Sequence, residues 1–367
     1  MKSDCLLSPW SLMMLACSGI VLSTANIFAQ GVLTPPGAPG LTMKSLDQIE
    51  SRTAITNTST LVTIAQPGSY YLTHDITVST GDAIDITTNG VTLDLNGFTL
   101  TSTAASATGN CIYLASTGGN TDITIVNGHI LSSVTNNAGT YTGPGFASGI
   151  ACNVSGKTFN ISVSHVSVYG CLSYGIFLPA ASSFGSPGYS TLVESCTIKT
   201  AGAIGIQADT VTHCTAVDCG NTGISGSSIS DSRGEAAGIG SVGLSAVNAE
   251  NCYGACSSTN LGYGILTILA NNCSGYAAGA SSYAILANST AINCYGYCTG
   301  TNGNGIYATT ASNCRGFSTS GNALNIIGSA VGCYGQSTFG TGVKATVANA
   351  CVVGGGTTNI TYKYNMP

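Results

Sequence analysis

The sequence predicts an all-β fold, namely a parallel β-helix solenoid with about 20 residues per coil. Three observations predict it: a short unit at a nearly fixed period, an aliphatic anchor in each unit, and strand-and-turn composition. The unit is Cys followed two residues later by Gly, as in residues 251–254, 272–275, 293–296 and 313–316. With Ser232 standing in for Cys, the steps from Cys214 to Cys351 are 18, 20, 21, 21, 20, 19 and 18 residues.

The second anchor of each unit is an aliphatic residue that follows a Gly or Ala. These residues are Ile224, Leu244, Ile265, Ile285, Ile306, Leu324 and Val343. From each of them to the next Cys position there are 8 or 9 residues, whereas the preceding Cys position lies 10 to 13 residues back. The segment of nearly constant length, from the aliphatic anchor to the next Cys position, is therefore expected to be fixed by packing. The segment of variable length, from the Cys position to the anchor, is expected to hold the loop.

Short runs of Val, Ile, Thr and Tyr, broken by Gly and Asn, are typical of strands and turns. Each coil is predicted to contain two or three short strands, with coils about 4.8 Å apart. The chain is long enough for about 13–15 such coils, and like residues then stack on like.

The repeated cysteines are predicted to be buried free thiols that point into the core. Their spacing lacks the paired C-x-x-C pattern of zinc sites, so no metal site is predicted. Stacked thiols at the strand spacing are also unsuited to disulfide geometry. Cys219, Cys256 and Cys298 lie outside the repeated position and are expected to be exposed or irregularly paired. Their redox state is left open.

The N-terminus has the pattern of an export signal, predicted over residues 1–29. Lys2 precedes an uncharged apolar stretch, residues 12–29, in which Ala25 and Ala29 are candidate cleavage points. Retention as a single membrane anchor is the alternative. The predicted location is outside the cell, on its surface or in the periplasm, with no membrane contact after cleavage.

The remaining segments are predicted from composition. Residues 30–60 form a Pro- and Gly-rich linker with a short helical patch at 43–50, and residues 61–356 form the β-helix. Residues 357–367 are predicted to cap the last coil, which would otherwise expose a sheet edge. Two insertions, 135–147 and 180–190, are predicted to be loops.

Two segments carry a resemblance to a known family. Residues 90–97 (GVTLDLNG) and 122–128 (DITIVNG) alternate apolar and polar residues and end in Asn-Gly. With the Gly-Ile anchors, they resemble the right-handed parallel β-helix proteins of the pectate-lyase-like (pectin lyase fold) superfamily. The leader at 33–39 and 43–50 resembles that of a secreted bacterial subgroup. The resemblance implies a right-handed coil from about residue 31 onwards, and it leaves the activity open because this fold carries lyases, hydrolases, epimerases, adhesins and tailspikes.

The catalytic sets of that superfamily do not map onto this sequence. Its lyases hold Ca²⁺ with several carboxylates beside an Arg or Lys, and its hydrolases use three Asp residues with a His and an Arg-Lys pair. Here Asp94 and Asp122 lie inside strand motifs, and residues 127–130 lack a Gly-His-Gly. No catalytic residue is therefore carried over from the superfamily. Whether the chain is an enzyme is left open, with the sequence favouring a protein that is not one. No cofactor is predicted, and Ca²⁺ would be needed only by a lyase.

One group of polar residues is brought together by the predicted register. If the Cys position points inward, its neighbours point outward, which places His213, Asp231 and Arg233 on one outer patch. One interpretation is an acid–base or sugar-binding patch. The other is a solvated face with an exposed ion pair that contributes about 0–1 kcal/mol.

Aromatic and Arg side chains follow the Cys position in successive units. Tyr253, Tyr295, Arg315 and Tyr334 immediately follow it and would form an outward column. Such a column could stack on sugar rings or stabilise the sheet by cross-strand pairing. A further column three residues after the Cys position comprises Tyr276, Tyr297 and Phe317; interior stacking is one interpretation of it, and the pattern does not fix its direction.

These observations favour an exported β-helix rod with a structural, adhesive or glycan-binding role at the cell surface. Its partner would be a polysaccharide or cell-surface glycan. The alternative is a polysaccharide lyase or glycoside hydrolase of the same superfamily, and a third hypothesis is a tailspike-like trimer. Only 6% of residues are charged and the net charge is −5, which argues against nucleic-acid binding. The oligomeric state is not predicted.

Overall fold

The computed structural model describes residues 51–153, 158–180 and 190–366. The predicted signal segment (1–29), the helical patch (43–50) and most of the 180–190 insertion lie outside these residues. Residues Arg52–Pro367 form one unit, to which the following description applies. The described part of the chain has no helix with the length and hydropathy needed to span a membrane.

Strands make up nearly all of the regular structure in the described residues. In the first half they are β1 Thr53–Ile55, β2 Val62–Ile64, β3 Gly68–Leu72, β4 Ile76–Val78, β5 Ile84–Ile86, β6 Val91–Asp94, β7 Thr99–Ser102, β8 Asn110–Leu114, β9 Asn120–Leu131, β10 Thr135–Asn137, β11 Thr140–Thr142, β12 Ser148–Cys152, β13 Thr158–Cys171, β14 Tyr174–Phe177, β15 Thr191–Glu194 and β16 Thr197–Ala201. In the second half they are β17 Ile204–Gln207, β18 Thr210–Thr212, β19 Thr215–Cys219, β20 Thr222–Ser230, β21 Arg233–Ala236, β22 Val242–Glu250, β23 Tyr253–Cys256, β24 Tyr263–Asn271, β25 Ser274–Ala277, β26 Tyr283–Ile292, β27 Tyr295–Cys298, β28 Asn304–Ser312, β29 Arg315–Ser318, β30 Asn322–Ile326, β31 Ser329–Val331, β32 Tyr334–Asn349 and β33 Val352–Tyr364.

All but two of these strands join one 31-stranded sheet that winds as a parallel β-helix. Each coil has three faces. Face 1 carries the aliphatic anchors, face 2 leads to the Cys position, and face 3 follows it. Face 1 has fourteen stacked levels, formed by strands or strand segments of β2, β5, β8, β12, β14, β17, β20, β22, β24, β26, β28, β30, β32 and β33.

The register stacks equivalent residues of successive coils. On face 1, Ile224 pairs with Leu244, and Ile265 pairs with Ile285. Both partners lie one repeat apart in the sequence, and all four side chains are fully buried. The predicted all-β parallel β-helix with about 20 residues per coil is therefore confirmed.

The side chains that face 3 points into the core become smaller from coil to coil. The inward position two residues after the Cys turn is Ile198 in one coil, Ala216 in the next and Gly234 in the one after. From there Gly recurs in every coil as far as residue 335. A Cβ atom built on Gly275 would collide with the backbone carbonyl oxygen of Ala284 on face 1. The recurring Gly is thus required because faces 1 and 3 meet backbone to backbone.

Most of the described cysteines form two inward columns. All fourteen cysteines in the described residues are buried and free, which agrees with the predicted thiol ladder. The expectation that Cys219, Cys256 and Cys298 are exposed or irregularly paired is wrong, because each is fully buried. They occupy alternate coils of a second column at the end of face 3, where Ala236 and Ala277 fill the coils between them.

The insertion at 135–147 folds as a small hairpin against the coils. Its strands β10 and β11 pair antiparallel, with Asn136 opposite Tyr141. The Asn136 amide donates to an Asp218 carboxylate oxygen at 2.6 Å, and the Tyr141 hydroxyl donates to the Asp218 backbone carbonyl at 3.2 Å. Thr200 also donates to the Asp218 carboxylate at 2.6 Å. Asp218 therefore fixes the hairpin to two coils.

The two ends of the coil stack are strands. Thr53–Ile55, within the segment predicted as linker, pairs in parallel with β3. Val352–Tyr364, which includes most of the segment predicted as a cap, pairs in parallel with β32 along its length. Within the described residues, the tail thus continues the sheet as a further level.

Candidate functional site

The turn between faces 2 and 3 has an unusual backbone conformation. The residue before the Cys position has positive φ in coil after coil, with values of 52° at His213, 49° at Asp231 and 53° at Asn251. Asn, Asp and His adopt this left-handed conformation more readily than other non-glycine residues. The left-handed conformation of the turn is thus sufficient to account for His, Asp and Asn at this position, without a catalytic or binding role.

The side chains at these turns bond to one another along the stack. The Asn251 amide donates to the Asp231 carboxylate at 3.0 Å, and the Asn272 amide donates to Asn251 at 2.8 Å. Nδ1 of His213 lies 2.9 Å from the Thr212 hydroxyl. The residues before the Cys position therefore form a polar ladder at an exposed corner of the coil.

The predicted patch does come together as an open groove. His213, Asp231 and Arg233 all line a groove of about 530 Å³ that runs over four coils, together with Asn251 and Tyr253. Within it, Nε of Arg233 donates to Glu235 at 2.8 Å, and its guanidinium lies 5.3 Å from the Tyr253 ring centroid. Arg233 is thus held by Glu235 and Tyr253, while Asp231 is bonded to Asn251.

The chemical capacity of this groove is limited by that pairing. A general acid or base needs a free route to the proton that it transfers. His213 is exposed and meets that condition, whereas Asp231 accepts from an amide and Arg233 forms an ion pair. In residues 51–153, 158–180 and 190–366, no group of three or more His, Cys, Asp or Glu side chains is arranged to hold a metal ion.

Beyond the groove, face 3 carries an aromatic strip in two adjacent columns. We call it the Tyr/Arg strip: Tyr253, Tyr276, Tyr295, Tyr297, Arg315, Phe317 and Tyr334. Tyr295 pairs with Arg315, which pairs with Tyr334 on the next coil. The four site residues Tyr253, Tyr295, Arg315 and Tyr334 thus lie in one column, as the repeat predicts.

The second column of the strip also faces outward, so interior stacking is the wrong interpretation of it. Tyr276 pairs with Tyr297, and Tyr297 pairs with Phe317. Tyr297 is 41% exposed, similar to Tyr295 at 40%. Because the Gly between the two columns keeps the strand extended, the period of two places both columns on the outer side. The same period of two, read from the sequence, could have identified Tyr276, Tyr297 and Phe317 as outward-facing residues.

The rings of the strip contact one another in a series that runs from Tyr276 to Tyr334. Ring centroids are 6.0 Å apart for Tyr276 and Tyr297, 5.6 Å for Tyr295 and Phe317, and 5.9 Å for Phe317 and Tyr334. The Arg315 guanidinium lies 4.8 Å from the Phe317 centroid and 5.0 Å from that of Tyr334. These distances are typical of stabilising aromatic and cation–π contacts.

One end of the strip borders a second groove. It has a volume of about 410 Å³ and is lined by Tyr253, Tyr276, Asp218 and Glu235, among others. Burial, and then the nearby Glu235 carboxylate, raises the pKa of Tyr253. Aromatic surface and carboxylates thus meet at this end, a combination that suits a ligand with both apolar faces and hydroxyl groups.

Two further clusters were not found from the sequence. On face 1 the rings of Tyr263 and Tyr283 stack with centroids 5.6 Å apart. Near the first coils, Asp85 lies beside Asp82; burial, and then that neighbouring carboxylate, raises the pKa of Asp85 to about 6. Tyr263 and Tyr283 each lie two residues before a face 1 anchor, so the repeat itself could have placed them together. The Asp82 and Asp85 contact is local to an early coil, where the repeat is irregular in sequence.

The chain matches no protein-family model and no curated protein. The geometry itself therefore defines the class of the molecule, a parallel β-helix solenoid.

Proposed function

We propose that this protein binds extended glycan chains along the Tyr/Arg strip and serves as a structural or adhesive rod. The observation that carries the proposal is the outward stacking of aromatic and Arg side chains over successive coils of face 3. Aromatic rings present a flat apolar surface with polar edges, which suits the faces of sugar rings. A repeating surface also suits a repeating polymer.

The rigid scaffold supports binding without turnover. The strip lies on paired strands rather than on loops, so its rings are positioned before a ligand arrives and little ordering is required. Arg315 is placed between two rings, where it can donate to hydroxyl or carboxylate oxygens. A short, shallow surface of this kind favours many weak contacts along a chain over one enclosed reaction centre.

The wider setting is part of the same proposal. We infer membership of the pectate-lyase-like superfamily from the two strand motifs, and export by a bacterial cell from residues 1–29. The site would then be outside the cell or in the periplasm, where polysaccharides are available. No cofactor is needed for binding of this kind, and a net charge of −5 is unfavourable for nucleic acid.

The test is affinity gel electrophoresis against a panel of neutral and acidic polysaccharides. The double variant Tyr295→Ala/Tyr297→Ala is expected to lose about tenfold in affinity or more, since aromatic contacts contribute about 0.5–1.5 kcal/mol each. The matched control is Tyr283→Ala, which removes a stacked ring from face 1. Absence of binding to the whole panel, or equal losses in the control, would refute the proposal.

A polysaccharide lyase or glycoside hydrolase is the second candidate. The observation in its favour is the convergence of His213, Asp231 and Arg233 on one groove. Its test is a cleavage screen on the same panel with and without Ca²⁺, read as new reducing ends or unsaturated products. Activity that disappears in His213→Ala and Asp231→Asn would establish this function in place of the first.

A further inference from the structure

The last strand of the coil stack has a free edge. β33, Val352–Tyr364, is 13 residues long and follows all three faces of a final coil. Its only strand partner in the described residues is β32, so the N–H and C=O groups on its far side meet no other described strand. A long free edge is a template on which another strand can pair. The final coil is thus the place where another chain could extend the sheet.

One inward column of face 2 changes character at this coil. Over the eight preceding coils it consists of buried aliphatic residues: Val211, Ile229, Ala249, Ala270, Ala291, Ala311, Ala330 and Ala348. In the final coil, the residue paired with Ala348 is Lys363. Paired residues of neighbouring strands point to the same side of the sheet, so Lys363 is directed towards the core. A charged side chain therefore stands where the repeat otherwise places a small apolar one.

Lys363 reaches across the open end of the core. Thr358 pairs with Val343 at the anchor position of face 1, and Nζ of Lys363 lies 3.5 Å from the Thr358 hydroxyl oxygen. Ile360 and Met366 are partly buried and pack against the core from the same coil. Lys363 itself is exposed, because no described coil covers it. Its aliphatic stem can thus cover apolar surface while its ammonium group stays in water.

We propose that Lys363 prevents a second copy of this chain from adding end-on to the final coil. End-on pairing would stack another coil on β33 and take the Lys363 ammonium group out of water. The last acidic residue in the sequence is Glu250, six coils before Tyr364 in the register, or about 29 Å. No acidic side chain of the described residues is therefore close enough to balance the charge. Burying an unbalanced charge is strongly unfavourable, and inward charges are one means of protecting a free sheet edge.

Either end of a second copy would leave this charge unbalanced. The final coil of that copy would present its own Lys363, which is a like charge. Its first described coils point Ile55, Ile64 and Ile76 into the core, and all three side chains are buried and apolar. Lys363 therefore opposes both ways in which another copy of this chain could continue the sheet.

The experiment measures association of the full chain and its variants by sedimentation velocity over a concentration series. Lys363→Leu removes the inward charge and should associate at a concentration lower than the parent's by about tenfold or more. Lys363→Ala restores the residue type of the column and should act in the same direction, which keeps the test decisive if Lys363→Leu folds poorly.

Two control variants separate the inward charge from net charge. Lys344→Leu makes the same substitution at an exposed outward position one coil earlier, where Lys344 pairs with Asn359. Lys363→Glu keeps a charge at the inward position but reverses its sign. Both variants should associate no more readily than the parent.

Hydrogen exchange locates the contact. At concentrations where Lys363→Leu associates, the backbone amides of β33 should exchange more slowly than in the parent, with the strand signal in circular dichroism retained. That result, with parental behaviour of both controls, would support the proposal. Association of Lys363→Leu and Lys363→Ala at the parental concentration, or equal association of Lys344→Leu or Lys363→Glu, would overturn it. Association without slower exchange in β33, or only with loss of the strand signal, would overturn it as well.

Discussion

The hydroxyl of Ser232 accepts a hydrogen bond from the backbone N–H of Cys214 at 3.1 Å. One coil earlier, the Cys214 sulfur accepts from the N–H of Cys196 at 3.4 Å. Both side chains also donate to the carbonyl two residues before them. The inward polar atom of this turn thus has a structural role that a hydroxyl or a thiol can perform.

We therefore predict opposite results for two substitutions at this position. Ser232→Ala leaves the buried Cys214 N–H without its acceptor and removes one of the two hydrogen bonds that the Ser230 carbonyl accepts, so it should lower the free energy of unfolding by about 1–3 kcal/mol. Ser232→Cys restores both bonds and should change it by less than about 1 kcal/mol. Urea unfolding of both variants measures the difference. Equal destabilisation would show that the bonds contribute little.

The narrowing of the core makes a second prediction. Gly275→Ala places a methyl group against the Ala284 carbonyl and should cost about 1–3 kcal/mol of stability through overpacking. Gly118→Ala is the matched control, because a Cβ there meets no atom within 4 Å. That variant should stay within about 0.5 kcal/mol of the parent. Similar unfolding midpoints for the two variants would contradict backbone-to-backbone packing of faces 1 and 3.

The carboxyl pair near the first coils predicts a pH dependence. The folded pKa of Asp85, about 6, is above the usual value of 3.8. Between these values the folded state holds more protons than the unfolded state, so the stability contributed by protonated Asp85 falls as pH rises from about 4 to about 6. Because the Asp85 side chain is only partly buried, solvent screening reduces this effect, and the loss should be on the order of 1 kcal/mol.

The measurement is chemical unfolding at both ends of that range. The Asp85→Asn variant should lose less stability than the parent as pH rises, because its side chain cannot ionise. Asp231→Asn, at an exposed turn, controls for a general change in net charge. A parent and an Asp85→Asn variant with parallel pH profiles would show that this carboxyl does not titrate differently on folding.

The hairpin of residues 135–142 supplies a fourth prediction. Burial, and then the Asp218 carboxylate, raises the pKa of Tyr141 well above its ordinary value, so its hydroxyl stays protonated and donates. Tyr141→Phe should cost about 1 kcal/mol, and Asp218→Ala about 1–3 kcal/mol, because the Asn136 and Thr200 donors lose their acceptor.

Limited proteolysis reports this change locally. Both variants should be cleaved faster than the parent within the hairpin, since local opening becomes easier when its anchor is lost. Tyr362→Phe is the control, because that side chain is 57% exposed on the last strand. Cleavage of the hairpin at the parental rate in Asp218→Ala would show that other contacts hold it.

The amino-acid sequence by itself determines the repeat of this fold. The spacing of Cys214, Cys252 and Cys273 sets the coil length, and the anchors Ile224 and Ile265 set the inward positions of face 1. These features are local, since each coil repeats the same short pattern and stacks on its neighbour. The column Tyr253–Tyr295–Arg315–Tyr334 could be predicted for the same reason, because equal spacing gives equal register.

Only the tertiary structure decides what depends on distances between faces. The sequence does not show that Cys219, Cys256 and Cys298 are inside, because their depth depends on how closely face 3 approaches face 1. Nor does it show that Arg233 pairs with Glu235 and Asp231 with Asn251, because side-chain partners are chosen by local distances. The Asp218 bonds to the hairpin join residues far apart in sequence, and no repeat pattern encodes such a contact.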